Sequence, residues 1–108
     1  MDSLSFEVKL DAGAIIVGFS EGAEAISGYQ ADEVLGKNWF EVFITEGDIV
    51  KVLKVFQDIF LGKNLHWDNT NEIRIKSGET ISIYWSNQII MDENGNRLHV
   101  LAKGSVIE

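Results

Sequence analysis

Polar and apolar residues alternate from the start of the chain. Ser5-Phe6-Glu7-Val8-Lys9-Leu10 puts Phe6, Val8 and Leu10 on one face, the two-residue period of a half-buried strand. Asp11-Ala12-Gly13 reads as a turn. Residues 14–19 form a short apolar run rich in β-branched side chains, so a second strand and a first hairpin are expected. The pattern then breaks into short pieces. Ser20 suits a helix cap with Glu21 in the first turn, and Gly28 suits the stop. Residues 32–35 read as another single helical turn ended by Gly36, and the nearby rings fill one side of a core.

One longer helix is expected over residues 46–61. Ile49, Val52, Leu53, Phe56, Ile59 and Phe60 recur at three- and four-residue steps and make one apolar stripe. Thr45 and Asp48 have capping-box spacing, and Gly62 stands where a left-handed closing residue belongs. After it the two-residue period returns. Ile73 and Ile75 alternate with Glu72, Arg74 and Lys76, and Ser77-Gly78 makes a tight turn. Residues 79–91 put Ile81, Ile83, Trp85, Asn87, Ile89 and Met91 on one face, with Tyr84 and its polar neighbours on the other. Asn94-Gly95 tolerates positive φ and signals a hairpin into a last strand over residues 97–107. Two strands, several helices and three strands imply an antiparallel α+β domain of five strands, with helices over one face.

Composition narrows the chemistry. A chain of 108 residues suits one domain, residues 1–108, with a core that needs no metal or disulfide. There is no cysteine, which removes disulfides, thiol catalysis and thiolate metal sites together. The net charge is −8, and residues 1–50 carry ten acids against two bases. Such a chain repels phosphate backbones, so nucleic acid is not an expected partner. No run approaches the roughly 20 apolar residues of a membrane span, and the N-terminus lacks the pattern of a signal peptide. Membrane insertion is therefore not expected, and a cytoplasmic location is. No phosphate loop, no nucleophile beside a base and no metal-ligand motif is present, so an enzyme is not expected.

Three stretches together resemble a PAS domain, over essentially the whole chain. "DAGAIIVGFSEGAEAISGYQADEVLGKNWFEVF" resembles the family's opening. "KSGETISIYW" resembles its Lys-x-Gly-Glu turn and long strand. "DENGNRLHVLAKGSVIE" resembles its closing hairpin. The resemblance implies a PAS fold, a five-stranded antiparallel sheet with short helices and one longer helix on one face. It also implies excision from a longer signalling protein, because Glu108 falls where the family's terminal acid leads into a linker toward an output domain. Two departures are local. Ser20 or a neighbour stands where the family often has Asn, and Gln30, a poorer cap, stands where it often has Ser or Thr.

The resemblance also frames the cofactors. Flavin-binding light sensors of the family place a reactive Cys in a Gly-x-Asn-Cys motif. Here "GKNW" puts Trp39 there, and Ile73, Ile83 and Val106 stand where those sensors carry ring-binding amides. Haem-binding members use a His on the long helix. This chain has none there, only His66 beyond it and His99 in the last strand. No cofactor is expected, neither flavin nor haem, although Trp67 or Trp85 would allow a different stacking mode; no metal site is expected either. Asn87 is the one polar member of its apolar row. If buried it needs partners, supplied locally or by a ligand that it anchors.

Two functions follow. In the first, the domain senses a small, largely apolar molecule held by Phe56, Ile73, Ile83, Trp85, Asn87 and Val106. It signals to the output domain of the same polypeptide, a sensor histidine kinase. In the second, the core is filled by its own side chains and the domain is an interaction module. Tyr84 and Ile90 on the outer face then contact a second copy in a homodimer.

Overall fold

The computed structural model describes the backbone of residues 5–61 and 66–107, and their side chains apart from Ile59, His66 and Trp67. The expected roles of Gly62 and Glu108, and of those three side chains, lie outside the described residues. The elements run β1 (Ser5–Asp11), β2 (Ile16–Phe19), α1 (Glu21–Ser27), α2 (Ala31–Val34), α3 (Trp39–Phe43), a 3-10 turn (Glu46–Asp48), α4 (Ile49–Phe60), β3 (His66–Arg74), β4 (Thr80–Met91) and β5 (Arg97–Val106). The strands form one sheet in the order β2-β1-β5-β4-β3, every pair antiparallel. The two strand groups of the sequence thus meet at β1 and β5, whose register runs from Ser5 opposite Ser105 to Asp11 opposite His99.

Three hairpin turns share one geometry. In each, the first residue accepts from the fourth and donates to the fifth: Asp11 to Ile15, Ile75 to Glu79, Asp92 to Asn96, at 2.9–3.0 Å. The fourth residue is left-handed: Ala14 (φ 64°), Gly78 (φ 96°) and Gly95 (φ 81°). This is a type I turn followed by a left-handed bulge residue. The turn expected at Asp11-Ala12-Gly13 therefore takes its left-handed residue one position later, at Ala14. Of Asn94-Gly95, only the glycine has positive φ. Asp11 and Asp92 have the same task, each accepting through Oδ1 from the backbone N–H groups two and four residues on.

The helical segment is held by side-chain caps. Ser20 Oγ accepts from Ala23 N–H at 3.1 Å and also from Glu7 N–H at 3.0 Å, so it caps α1 and fastens it to β1. Gly28 closes α1 at φ 82°. Gln30 is a weak cap, and carboxylates compensate: Glu33 accepts the Gln30 N–H at 2.7 Å and Glu24 accepts the Ala31 N–H at 2.6 Å. Asn38 Oδ1 accepts from Phe40 and Glu41 and so caps α3, a role the sequence reading missed. The capping box expected at Thr45 and Asp48 does not form. Thr45 makes no side-chain cap, and Asp48 Oδ2 reaches across to the Glu72 N–H at 3.4 Å. The first turn of the expected helix is accordingly 3-10, and α4 proper begins at Ile49.

The core lies between the inner sheet face and the helices. Phe6, Val8, Leu10, Ile83, Trp85 and Val100 from the strands are buried with Trp39 and Phe43 of α3. A bulge at Ile90/Met91 breaks the inward row of β4, and Met91 is exposed. Gly104 has a packing role. A Cβ there would lie 2.6 Å from Phe6 Cζ and 2.9 Å from Trp85 Cζ3. Its absence lets those two rings meet edge to face at 5.3 Å across β5.

Candidate functional site

Under α4 the packing is incomplete. A cavity of about 50 Å³ opens between that helix and the sheet centre. Its floor is Val8 and Leu10 of β1, Trp85 and Asn87 of β4, and Val100 and Ala102 of β5. Its roof is Trp39 and Phe40 of α3 with Val52, Val55 and Phe56 of α4. Asn69 and Asn71 of β3 close one side. The volume exceeds the roughly 10–15 Å³ that one water needs, but is well below the roughly 150 Å³ of a cavity that holds benzene.

Each wall follows from local sequence. Asn38 caps α3, and Trp39 donates its N–H to Ala14 O at 2.8 Å, which turns the Trp39 ring inward. Trp39 then stands edge-on to Trp85 at 5.6 Å and tilted on Phe43 at 4.5 Å. Phe40 meets Phe56 edge-on at 5.9 Å, and Phe56 meets Phe60 at 5.1 Å. These rings prop α4 above the sheet. Of its described side chains only Phe56 is buried, whereas Leu53 is 37% and Val50 81% exposed. Bulky rings at the helix ends of the gap and small Ala102 beneath it account for the space.

The polar side chains of the site are three asparagines, beside the indole N–H groups of Trp39 and Trp85. Asn71 and Asn87 are 5% and 6% exposed. Asn87 Nδ2 donates to Asn69 Oδ1 at 3.0 Å, and Asn71 Nδ2 donates to Glu72 O at 2.9 Å. The pairing of Asn69 with Trp85 and of Asn87 with Trp67 sets the two linked amides on neighbouring strands. No ionisable residue lines the cavity among the described residues.

Of the six expected ligand contacts, Phe56, Trp85 and Asn87 stand together on this wall. Ile73 and Ile83 are buried at 1% and 0% but lie off the cavity, toward the β3–β4 turn, where Ile44 bridges to Ile73. Val106 is partly buried and packs on the core beyond the wall. Strand parity gives the face of a residue, not its distance along the strand from a gap. Asn69 and Asn71 were missed, although two steps back from Ile73 in the same parity reach both. On the outer face, Tyr84 is 43% exposed and Ile90 half-buried. The Tyr84 hydroxyl bonds to the Asp68 carboxylate, which raises its pKa. Lys76 bonds to Glu33 at 2.7 Å, holding the Glu33 carboxyl below its ordinary value and raising Lys76.

A family model described as PAS fold matches residues 16–102. The chain belongs to the PAS family. No curated protein matches it. Among solved structures, the PAS domain of a protein from Colwellia psychrerythraea is similar with a TM-score of 0.85 at 19% identity, covering 96% of this chain and 86% of that one. The PAS domain of the RpfR quorum-sensing receptor from Cronobacter turicensis, in complex with BDSF, gives a TM-score of 0.82 at 20% identity, covering 97% and 95%. A light-oxygen-voltage domain studied with a flavin analogue gives 0.80 at 23%, covering 96% and 78%. At these identities the likeness is one of fold. This PAS chain has no thiol for a flavin adduct. The cavity of about 50 Å³ is smaller than a ring system the size of isoalloxazine. Among the described residues no group of three or more His, Cys, Asp or Glu could hold a metal, and no helix is long and apolar enough to cross a membrane.

Proposed function

We propose that this PAS domain is the sensory input module of a larger cytoplasmic signalling protein, and that it binds a small, mostly apolar molecule in the cavity under α4. The observation that carries the reading is the pair of asparagines, Asn71 and Asn87, buried beside apolar walls and rings. A mostly apolar cavity with a few placed polar groups is the usual form of a small-molecule site. The RpfR domain, of the same fold, is in complex with BDSF in one structure and with C12:0 in another. Binding shifts the domain only as far as the ligand favours one state. The strand placed to feel it is β5, which supplies Val100 and Ala102 to the cavity floor and ends the described fold. Its output domain, in this reading a sensor histidine kinase, does the catalysis, and the PAS domain does none.

Native mass spectrometry of freshly purified protein tests the reading. An added mass that disappears in Asn87→Leu, with the fold intact by circular dichroism, is the expected result. An unliganded wild-type protein that also takes up no added small molecule overturns it. A homodimer through the outer sheet face is the second reading, favoured by the exposure of Tyr84 beside half-buried Ile90. It expects the Tyr84→Glu, Ile90→Glu double variant to run as a monomer where the wild type runs as a dimer.

A further inference from the structure

The polar side chains that line the cavity are three amides, with the indole N–H groups of Trp39 and Trp85 beside them, and the amides' bonding is unfinished. Asn87 Nδ2 is used by Asn69 Oδ1, and Asn71 Nδ2 by the Glu72 carbonyl. Among the described residues no bond takes Oδ1 of Asn71, Oδ1 of Asn87 or Nδ2 of Asn69. Two carbonyl oxygens and one NH₂ group thus stay open on residues that line a cavity whose other described side chains are apolar apart from the indole N–H groups of Trp39 and Trp85. Turning Asn69 and Asn87 together by half a turn keeps a bond between them and leaves the pair one open oxygen and one open NH₂ group, whereas turning Asn71 would set its oxygen against the Glu72 carbonyl. The buried oxygens of Asn71 and Asn87 call for a donor, and a partner that also accepts serves half-buried Asn69 as well.

Resting on the reading of the cavity as a ligand site, we propose that it selects an uncharged molecule with a primary carboxamide head and a short apolar tail, and rejects the carboxylate and ammonium of the same length. The head's NH₂ donates to the two asparagine oxygens, and its oxygen accepts from Asn69. A carboxylate only accepts, so it meets the two carbonyl oxygens with nothing to give them. It also finds no cation in the described lining and enters a chain of net charge −8. An ammonium donates but leaves the Asn69 NH₂ unserved, and it is buried without a counter-charge. The volume fits a head of a few heavy atoms, and the partly exposed apolar residues Phe40, Val52 and Val55 lie where the tail leaves.

Hexanamide, sodium hexanoate and hexylammonium chloride, each titrated at neutral pH into the wild-type protein and into Asn71→Leu and Asn87→Leu and followed by calorimetry, test the proposal. Hexanamide is expected to bind at least about tenfold more tightly than either ion, and each substitution to weaken hexanamide by roughly tenfold. Hexanoate or hexylammonium binding as tightly as hexanamide overturns the head assignment and leaves the ligand-site reading standing. So does hexanamide affinity unchanged in both variants. If none of the three binds the wild type, the head assignment falls, and the mass spectrometry described above decides the ligand-site reading. Should a variant fail to fold, the comparison of hexanamide with hexanoate on the wild type decides alone.

Discussion

Asn87 and Gly104 show two ways a single residue shapes this protein. Asn87 is legible from sequence because it interrupts an apolar row at fixed parity. Gly104 is not, because its reason lies in two rings, Phe6 and Trp85, that approach from β1 and β4 on either side of β5. Gly104→Ala places a methyl within 3 Å of both rings. It is expected to destabilise the fold by about 1–3 kcal/mol, read as a lower urea midpoint; an unchanged midpoint contradicts the packing described. Two other glycines separate conformation from space. Neither Gly78 nor Gly47 has any atom within 4 Å of an added Cβ, but only Gly78 has positive φ. Gly78→Ala is expected to cost about 1 kcal/mol. Gly47→Ala is expected to be neutral or stabilising by up to about 1 kcal/mol. Equal effects of the two would refute backbone strain as the cause.

At the scale of elements, alternation placed the strands well because a buried face enforces it. It carried less where side chains do not alternate. In β3 the inward row is Asn69, Asn71 and Ile73, so polarity does not change between the faces and the first half of the strand is silent. Capping was legible at Ser20 and misleading at Thr45, where Asp48 turns to β3 instead. The contact from Lys76 to Glu33 joins the β3–β4 turn to α2, elements 43 positions apart that no local pattern connects. It makes a pH prediction. The folded state holds the Glu33 carboxyl below its ordinary value, chiefly through the bond from Lys76. Its contribution is therefore complete above the ordinary carboxylate range and is lost as pH falls through the lowered value. Lys76, raised by the same bond, keeps its contribution until pH climbs past the ordinary lysine range. Both groups are solvent-exposed and the effect is small. Urea midpoints measured from neutral pH into the acid range are expected to fall less steeply in Glu33→Gln than in the wild type. Parallel slopes would show that the pair contributes nothing to the pH dependence.

Over the whole molecule, the five-stranded antiparallel sheet and the one-sided helices were readable from the order of the elements and their turns, and the family from its motifs; the pairing of β1 with β5 was not, because no local pattern joins the two ends of the chain. The cavity was not, because it is a remainder. It exists where Phe40, Phe56 and Trp39 hold α4 off a floor narrowed at Ala102, and no pattern in the chain records a missing volume. Of the described side chains of α4, all but Phe56 keep solvent contact. In the proposed reading, ligands bind between α4 and the amide cluster. The side-chain NH₂ resonances of Asn69, Asn71 and Asn87, followed by ¹⁵N–¹H NMR as hexanamide is added, test it most directly. Shifts in these three groups that saturate together, with contacts from the added molecule to Val55 and Phe56, are the predicted result. Shifts confined to Tyr84, Ile90 and the outer sheet face would contradict it.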